Sequence, residues 1–291
     1  GEAYYALPIG VDPLVLYYNK DIYNTNGLSS PPKTWVEFVN YQPRLTILDD
    51  NNNLKQSAAA LGNFLNIDHA KDIFSLLLLQ AGNPIVALNN GVIKQTLADN
   101  LGYAVMPTQA ALEFFVQFAD PAKSTYSWNR SWPSSRDSFL AGKLANYFGP
   151  ASEYAYLKSK NPHLNFDVAE VPQQSLDRRQ TFGRFYGLAI MRSSPRLAAV
   201  FPAVYTLSAS GEAENIAAAL SLQPAKRMIL AAGSADPYTQ IFYEAALVAR
   251  AWLDFNSASS RRIFSEMIDN YSSGRLRADQ AIKEAAGLLN R

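Results

Sequence analysis

Segments with strand character are confined to the earlier part of the chain, whereas nearly all of the sequence after Pro195 has helical spacing. Five helical segments follow that proline, over residues 196–208, 212–222, 238–254, 257–271 and 278–290. Neither an internal repeat nor a low-complexity linker interrupts this order. It predicts an α/β protein in which the C-terminal helices pack over sheets formed earlier in the chain.

The earlier part contains short apolar and aromatic runs bounded by turn residues, which predict strands. These strands are expected over residues 4–9, 14–18, 45–48, 54–58, 144–148, 166–171 and 186–191. Gly10–Pro13 separates the first two runs, and its glycine and proline favour a bend there. The first strand is therefore expected to end before Asp12.

Helix-capping signals accompany the helical segments between these strands. Thr34 stands three residues before Glu37, the spacing of a capping box, so a helix should begin at that point. Asp68 is a candidate N-cap for a helix that reaches Gln80 and contains the apolar run Leu76–Leu79. Further helices are expected over residues 108–118 and 134–142, the second of them ending at a glycine cap.

Composition narrows the classes of molecule that this chain could bind and the chemistry that it could use. Lys and Arg total 26 against 25 for Asp and Glu, so the chain has no sustained positive field and nucleic acid is not an expected partner. The sequence contains no cysteine, which excludes disulfides, thiolate nucleophiles and cysteine-ligated zinc. The length of 291 residues allows one large domain or two of ordinary size.

Catalytic and metal-binding patterns are weak. His69 and His163 are the only histidines, and neither belongs to a nucleophile or zinc motif. Asp49–Asn53 alternates acids and amides as calcium loops do, but Leu54 and Ala60 stand where such a loop needs its glycine and its bidentate glutamate. We expect no metal and no cofactor. A glycan-processing enzyme stays open, because paired catalytic carboxylates need no fixed spacing along the chain.

Three stretches resemble a known family. Leu7–Asp21 contains Tyr-Asn-Lys-Asp and is followed by Pro31–Phe38 with Pro-Pro-Lys-Thr-Trp. Ser138–Ala145 has the pattern Phe-x-x-Gly-Lys-x-Ala and leads into Gly149-Pro150, and Ser273–Ala285 is similar to the family's closing helices. In these stretches the chain resembles the extracellular solute-binding proteins of ABC importers, the family that includes the maltodextrin-binding proteins.

The resemblance implies the two-lobed, type II periplasmic-binding-protein fold with one lobe incomplete. In the family, a long N-terminal portion that builds most of the first lobe precedes the Leu-Pro-Ile-Gly segment, and this sequence lacks it. Chain crossings between the lobes are expected near Gly10, Val171-Pro172 and Ala235-Asp236. The implied units are residues 1–10, ending the N-terminal lobe segment; 11–171 and 236–291, the C-terminal lobe; and 172–235, the remainder of the N-terminal lobe.

The function implied is binding of a small solute, a sugar or oligosaccharide, in the cleft between the lobes, and its delivery to an ABC permease in the membrane. Such a receptor performs no chemistry on its solute and needs no cofactor. The implied location is extracytoplasmic, in the periplasm or at the outer face of the cell membrane, with a lipid anchor on the absent N-terminal portion as one form of attachment. If the incomplete lobe abolishes the cleft, an interaction module without a small ligand is the alternative.

Two kinds of side chain are candidates for holding a sugar: polar groups that bind hydroxyls and rings that pack on its C–H faces. The candidates are Asp12, Trp128, Trp132, Tyr147, Ser152, Arg184, Phe185, Tyr186 and Trp252. Trp128 and Trp132 are favoured because residues 126–135 have the composition of a polar loop.

Three of these positions carry their own alternatives. By the resemblance, Asp12 occupies the position of a ligand-contacting carboxylate after the first crossing, but it could equally cap the turn before Pro13. Arg184 could bind an acidic sugar or a hydroxyl pair, or could be a surface salt-bridge partner. Ser152 and Glu153 lie where the family presents loop residues to the cleft, although Ala151 replaces the stacking tryptophan of maltodextrin binders.

Overall fold

The computed structural model describes residues 5–89, 91–209 and 211–289. Tyr4, the first residue of the first predicted strand, and Asn290, the last residue of the last predicted helix, lie outside these ranges. The strands are β1 (Leu7–Asn19), β2 (Ile47–Leu48), β3 (Leu54–Ala59), β4 (Val86–Asn89), β5 (Val92–Gln95), β6 (Leu144–Pro150), β7 (Phe166–Ala169), β8 (Thr181–Leu188), β9 (Gln223–Pro224) and β10 (Ala249–Arg250).

The helices are α1 (Lys20–Thr25), α2 (Trp35–Leu45), α3 (Ala70–Gln80), α4 (Pro107–Val116), α5 (Ser135–Leu140), α6 (Tyr154–Lys160), α7 (Leu197–Ser208), α8 (Glu212–Ala219), α9 (Arg227–Ala232), α10 (Pro237–Leu247), α11 (Ser257–Ser272) and α12 (Ala278–Leu289). Across the described ranges, no helix combines the length and apolar character that crossing a membrane requires.

β1 is one strand of 13 residues where the sequence predicted two strands and a bend. Its first part pairs antiparallel with β8, from Leu7 opposite Leu188 to Pro13 opposite Gly183. Its second part pairs with β6, beginning at Leu14 opposite Pro150, and with β7. The prediction of a bend at Gly10–Pro13 is wrong because pairing to β8 keeps this segment extended. β1 therefore joins two groups of strands, and its partners change between Pro13 and Leu14.

The main core lies around the second part of β1. α3 is buried along nearly its whole length, as its apolar run predicted, and Phe74 on this helix packs edge-on against Phe264 of α11 and Phe115 of α4. Trp35 and Phe148 stack on the side of α2. This half of the molecule has its own aromatic and aliphatic interior.

The group of strands around the first part of β1 is covered less completely. β8 is buried at Thr181–Gly183 and mostly exposed from Arg184 onward. α7 has no buried residue, and its Phe201 and Tyr205 rings stack on each other in exposed positions. The crossings and unit limits at residues 10, 171 and 235 stay predictions.

Two predicted elements are displaced, and several short ones are missed, among them α1, α6, α9 and β9. The strand expected over 186–191 lies at Thr181–Leu188, and the helix expected to reach Asp254 ends at Leu247. Both differences have the same cause, because Ala249 and Arg250 pair in parallel with Thr181 and Phe182 and so require extended chain in both places. The β4–β5 hairpin was not predicted.

Candidate functional site

Asp12 lies at the point where β1 changes partners. Its side chain is 4% exposed. Its carboxylate accepts the backbone N–H of Ser152 at 3.0 Å and the Ser152 hydroxyl at 2.7 Å. Burial raises the pKa of Asp12, although both bonds from Ser152 work to lower it. Both of these hydrogen bonds to the Asp12 carboxylate thus come from Ser152. They connect β1 to the segment that follows β6.

Next to this pair, charged side chains from four elements meet. His69 Nε2 lies 3.0 Å from Glu153 Oε1, and the Arg136 guanidinium also contacts that carboxylate. Arg184 on β8 forms an ion pair with Asp72 on α3, and its guanidinium nitrogen is 3.3 Å from His69 Nδ1. We call these five residues, His69, Asp72, Arg136, Glu153 and Arg184, the polar cluster.

The local backbone explains how His69 enters the cluster. The N-cap of α3 is His69, with a left-handed φ of 58°, and not Asp68 as predicted. Asp68 is engaged elsewhere, because its carboxylate accepts the backbone N–H of Arg136 at 2.9 Å and the Ser135 hydroxyl at 3.1 Å. This anchors the start of α3 to the start of α5 and turns the imidazole toward Glu153.

Gly149 leaves space for Tyr147 and Glu153 to approach each other closely. A Cβ at this position would lie 2.7 Å from the ring of Tyr147 and 2.8 Å from Oε2 of Glu153. Tyr147 donates its hydroxyl to that same oxygen at 2.6 Å. The glycine therefore provides the space in which the phenol and the carboxylate meet.

The electrostatic environment keeps Glu153 ionised at neutral pH. Burial works to raise its pKa, but hydrogen bonds from His69 and Tyr147 and the charges of His69 and Arg136 outweigh it, so the pKa of Glu153 is lowered. Burial and the neighbouring Glu153 charge raise the pKa of Tyr147 well above its ordinary value. Tyr147 is accordingly a hydrogen-bond donor at any physiological pH.

The predicted aromatic residues fall into two groups. Trp128 is 0% exposed, with its indole N–H donating to Asn66 Oδ1 at 2.9 Å, and Tyr147 is 1% exposed. Neither ring presents a face to solvent in this conformation. Trp132 is partly buried against Trp128, and Trp252 donates its indole N–H to Ser75 Oγ at 3.0 Å.

Exposed rings lie on β8 and α6. Phe185 is 57% exposed and Tyr186 is 41% exposed, and both follow Arg184 directly. Tyr156, which the sequence analysis did not select, is 43% exposed and lies beneath the Arg136 guanidinium at 5.8 Å. Its position shortly after Ser152 and Glu153 was the available signal. The structure thus places Asp12 and Ser152 next to the polar cluster, which includes Arg184. Exposed rings lie nearby.

A cavity of about 570 Å³ lies elsewhere in the described residues. It is lined by Trp35, Leu77, Gln80, Tyr103 and Phe114 among others. Since α3 runs from the polar cluster at His69 to Gln80, the cavity is at the opposite end of that helix. It is separate from the polar cluster.

Two groups of strands joined by β1, with charged groups gathered where they meet, define a two-lobed α/β binding protein. Residues 1–247 match the family model of the bacterial extracellular solute-binding proteins, and the chain belongs to that family. The resemblance and the α/β fold expected from the sequence are confirmed. As a member of this family, the protein is extracytoplasmic.

Solved structures share the fold. The maltose-maltodextrin binding protein of Alicyclobacillus acidocaldarius has a TM-score of 0.67 and 18% identity, over 98% of this chain and 71% of that one. Lmo0181 of Listeria monocytogenes, in complex with cycloalternan, has a TM-score of 0.70 and 17% identity, over 98% of this chain and 71% of its own. UgpB of Mycobacterium tuberculosis, in complex with glycerophosphocholine, has a TM-score of 0.69 and 18% identity, over 99% of this chain and 70% of its own.

Proposed function

We propose that this protein binds a small polyhydroxylated solute, a sugar or oligosaccharide, at the polar cluster and delivers it unchanged to an ABC permease. The observation that carries the proposal is the position of the polar cluster, where Arg184 of β8 meets Asp72 of α3. A solute bound there would contact both groups of strands that β1 joins. Contact with both is what a closing cleft requires.

The chemistry of the residues suits a sugar. Carboxylates accept hydrogen bonds from hydroxyls and guanidinium groups donate to them, so vicinal hydroxyls find both partners in the polar cluster. The exposed rings of Tyr156 and Tyr186 offer flat apolar faces for the C–H faces of a pyranose. Phe185 alternates with Arg184 along β8, so its exposed ring lies on the other face of the strand. Of the similar structures, the one bound to cycloalternan also favours a carbohydrate.

In the proposed cycle the solute docks first on the larger group of elements, α3, α5 and the segment after β6. Rotation about the β1 crossing then brings β8 with Arg184 and Tyr186 over it. The solute drives closure only by the difference in its affinity for the closed and open states. The closed form is the one that docks on the permease.

Thermal denaturation with a panel of neutral mono- and oligosaccharides tests this function. A solute at a hundredfold excess over its dissociation constant should stabilise the fold by about 2.7 kcal/mol. The solute should be recovered chemically unchanged after incubation, as expected of a receptor and not of a glycan-processing enzyme. Amino acids serve as the comparison panel, and a melting temperature that no sugar raises would count against the proposal.

A matched pair of variants locates the site. Tyr156→Ala removes an exposed ring beside Arg136 and should weaken sugar binding while leaving the melting temperature of the free protein near the wild-type value. Tyr205→Ala removes a ring on α7 that is 62% exposed and stacks on Phe201, and it should leave binding unchanged. Equal effects of the two changes would place the site elsewhere.

A further inference from the structure

The polar cluster and its neighbours hold more negative than positive charge. Asp12, Asp68, Asp72 and Glu153 supply four carboxylates, against the two guanidinium groups of Arg136 and Arg184. The carboxylates remain in excess even with His69 counted as a cation. A solute entering this region therefore meets a field that opposes negative charge.

Each guanidinium already has a carboxylate partner. Arg136 is paired with Glu153 and lies 3.5 Å from Asp68, and its Nε, which has no partner among the described residues, is buried. Arg184 is the more accessible of the two, with a side chain that is 43% exposed. Its charge is compensated by Asp72.

The burial of Asp72 makes this compensation hard to displace. Its side chain is 6% exposed and the nearest other charged neighbour, His69 Nδ1, lies 3.8 Å from it, so the carboxylate is poorly compensated if Arg184 moves away. Breaking a buried pair by withdrawing one partner leaves an uncompensated charge, which is strongly unfavourable. An anionic solute that draws Arg184 away from Asp72 incurs that cost, whereas a neutral solute can donate and accept hydrogen bonds with the pair intact.

We infer that Asp72 is a specificity-determining residue, which holds Arg184 and so makes the cleft select uncharged solutes over anionic ones. This inference rests on the proposed function and sharpens it, because it removes acidic sugars from the solutes that Arg184 was expected to bind. Asp72 was not among the residues selected from the sequence.

Isothermal titration with matched probes tests the inference. The pairs are glucose with glucuronate, galactose with galacturonate, and maltose with maltobionate. The wild-type protein should bind the neutral member of at least one pair and prefer it over the acid by at least about tenfold, a difference that one unfavourable charge contact readily supplies. Higher salt should reduce this preference, because salt screens the repulsion.

The variant Asp72→Asn releases Arg184 while keeping the shape of the side chain. It should reduce the preference for the neutral sugar by at least about tenfold, chiefly by improving binding of the acid. Glu266→Gln is the matched control, since it removes a carboxylate from the exposed ion pair with Arg262, 2.9 Å apart, on α11. The control should leave the preference unchanged.

Three results would overturn the inference. In the wild-type protein, the acid could bind as tightly as the neutral sugar, or binding of the acid could weaken as salt is added, as expected of attraction to a free cation. In a folded Asp72→Asn variant, the preference could equal that of the wild type. The salt series needs no variant, so it tests the exclusion of anions even if Asp72→Asn does not fold. If no neutral sugar binds, either in these pairs or in the thermal-denaturation panel, the proposed function itself fails, and the inference fails with it.

Discussion

Trp128 shows how a residue in a polar stretch can belong to the interior. Its neighbours Asn129, Arg130 and Ser131 are polar, which is why the sequence predicted a loop open to solute. The indole instead packs against Trp132 and donates its N–H to Asn66. Hydrogen bonding of the indole by a side chain more than sixty positions away cannot be read from local composition.

Trp128→Ala should therefore act on stability before it acts on binding. Truncating a fully buried tryptophan removes its apolar contacts, leaves a cavity and leaves the side-chain carbonyl of Asn66 without its hydrogen-bond donor. The expected cost is about 3–5 kcal/mol in the free energy of unfolding. Denaturant unfolding measures this cost, with Tyr156→Ala as the exposed aromatic control. A Trp128→Ala protein with wild-type stability and no sugar binding would return the residue to the site.

Arg184 and Asp12 show what the sequence could and could not indicate about the site. Asp12 was selected by resemblance and Arg184 for the chemistry of its guanidinium, and both lie where β1 and β8 pair, as cross-strand neighbours. Their partners, Asp72 and Ser152, are distant in sequence and become partners only through the fold. The residue types at a crossing can be predicted from the sequence. The partner of each charged side chain depends on tertiary contacts.

At the scale of elements, the sequence located helices better than strand limits. Helices such as α3 and α11 can be predicted from local apolar spacing and caps. Their ends lie close to the predicted ones. Strand limits depend on partners. β8 begins at Thr181 because β10 and β1 pair with it there, and the apolar residues after Leu188 have no strand beside them in the described residues.

β6 carries a prediction of its own, because Gly149 allows Tyr147 and Glu153 to meet. In Gly149→Ala, the added methyl would lie 2.7 Å from the buried Tyr147 ring and 2.8 Å from Glu153 Oε2, so one of the two side chains must move. We expect weaker sugar binding, because Glu153 leaves its contacts with His69 and Arg136. Titration with the best neutral sugar measures the effect.

Gly287→Ala is the control for this substitution. Gly287 lies in α12, and a Cβ there has no neighbour within 4 Å. Replacing a helical glycine with alanine should raise stability by up to about 1 kcal/mol and leave sugar affinity unchanged. If Gly149→Ala behaves like this control, the geometry of the Tyr147–Glu153 contact does not matter for binding.

At the scale of the whole molecule, the polar cluster links two groups of strands, so its protonation should affect the stability of the fold. Hydrogen bonds and cationic neighbours outweigh burial at Glu153 and at Asp68, and the pKa of each is lowered. A carboxyl whose pKa is lowered in the folded state stabilises that state above its unfolded pKa, about 4.3 for Glu. The stabilisation is lost as the pH falls from there through the folded value. Asp12 acts in the opposite sense, because burial raises its pKa and its protonation favours the folded state.

The melting temperature of the wild-type protein should consequently fall as the pH is lowered from 7 to 3, with the decline beginning near the unfolded carboxyl pKa of about 4. Glu153→Gln removes one of the titrating groups, so this variant should be less stable at pH 7 but should lose less on acidification. Asp269→Asn, which breaks the exposed pair with Arg130 far along α11, controls for the loss of a carboxylate and should keep the wild-type pH profile. A Glu153→Gln profile parallel to that of the wild type would mean that Glu153 does not couple protonation to folding. The ion pairs of the polar cluster would then be local contacts without influence on the rest of the fold.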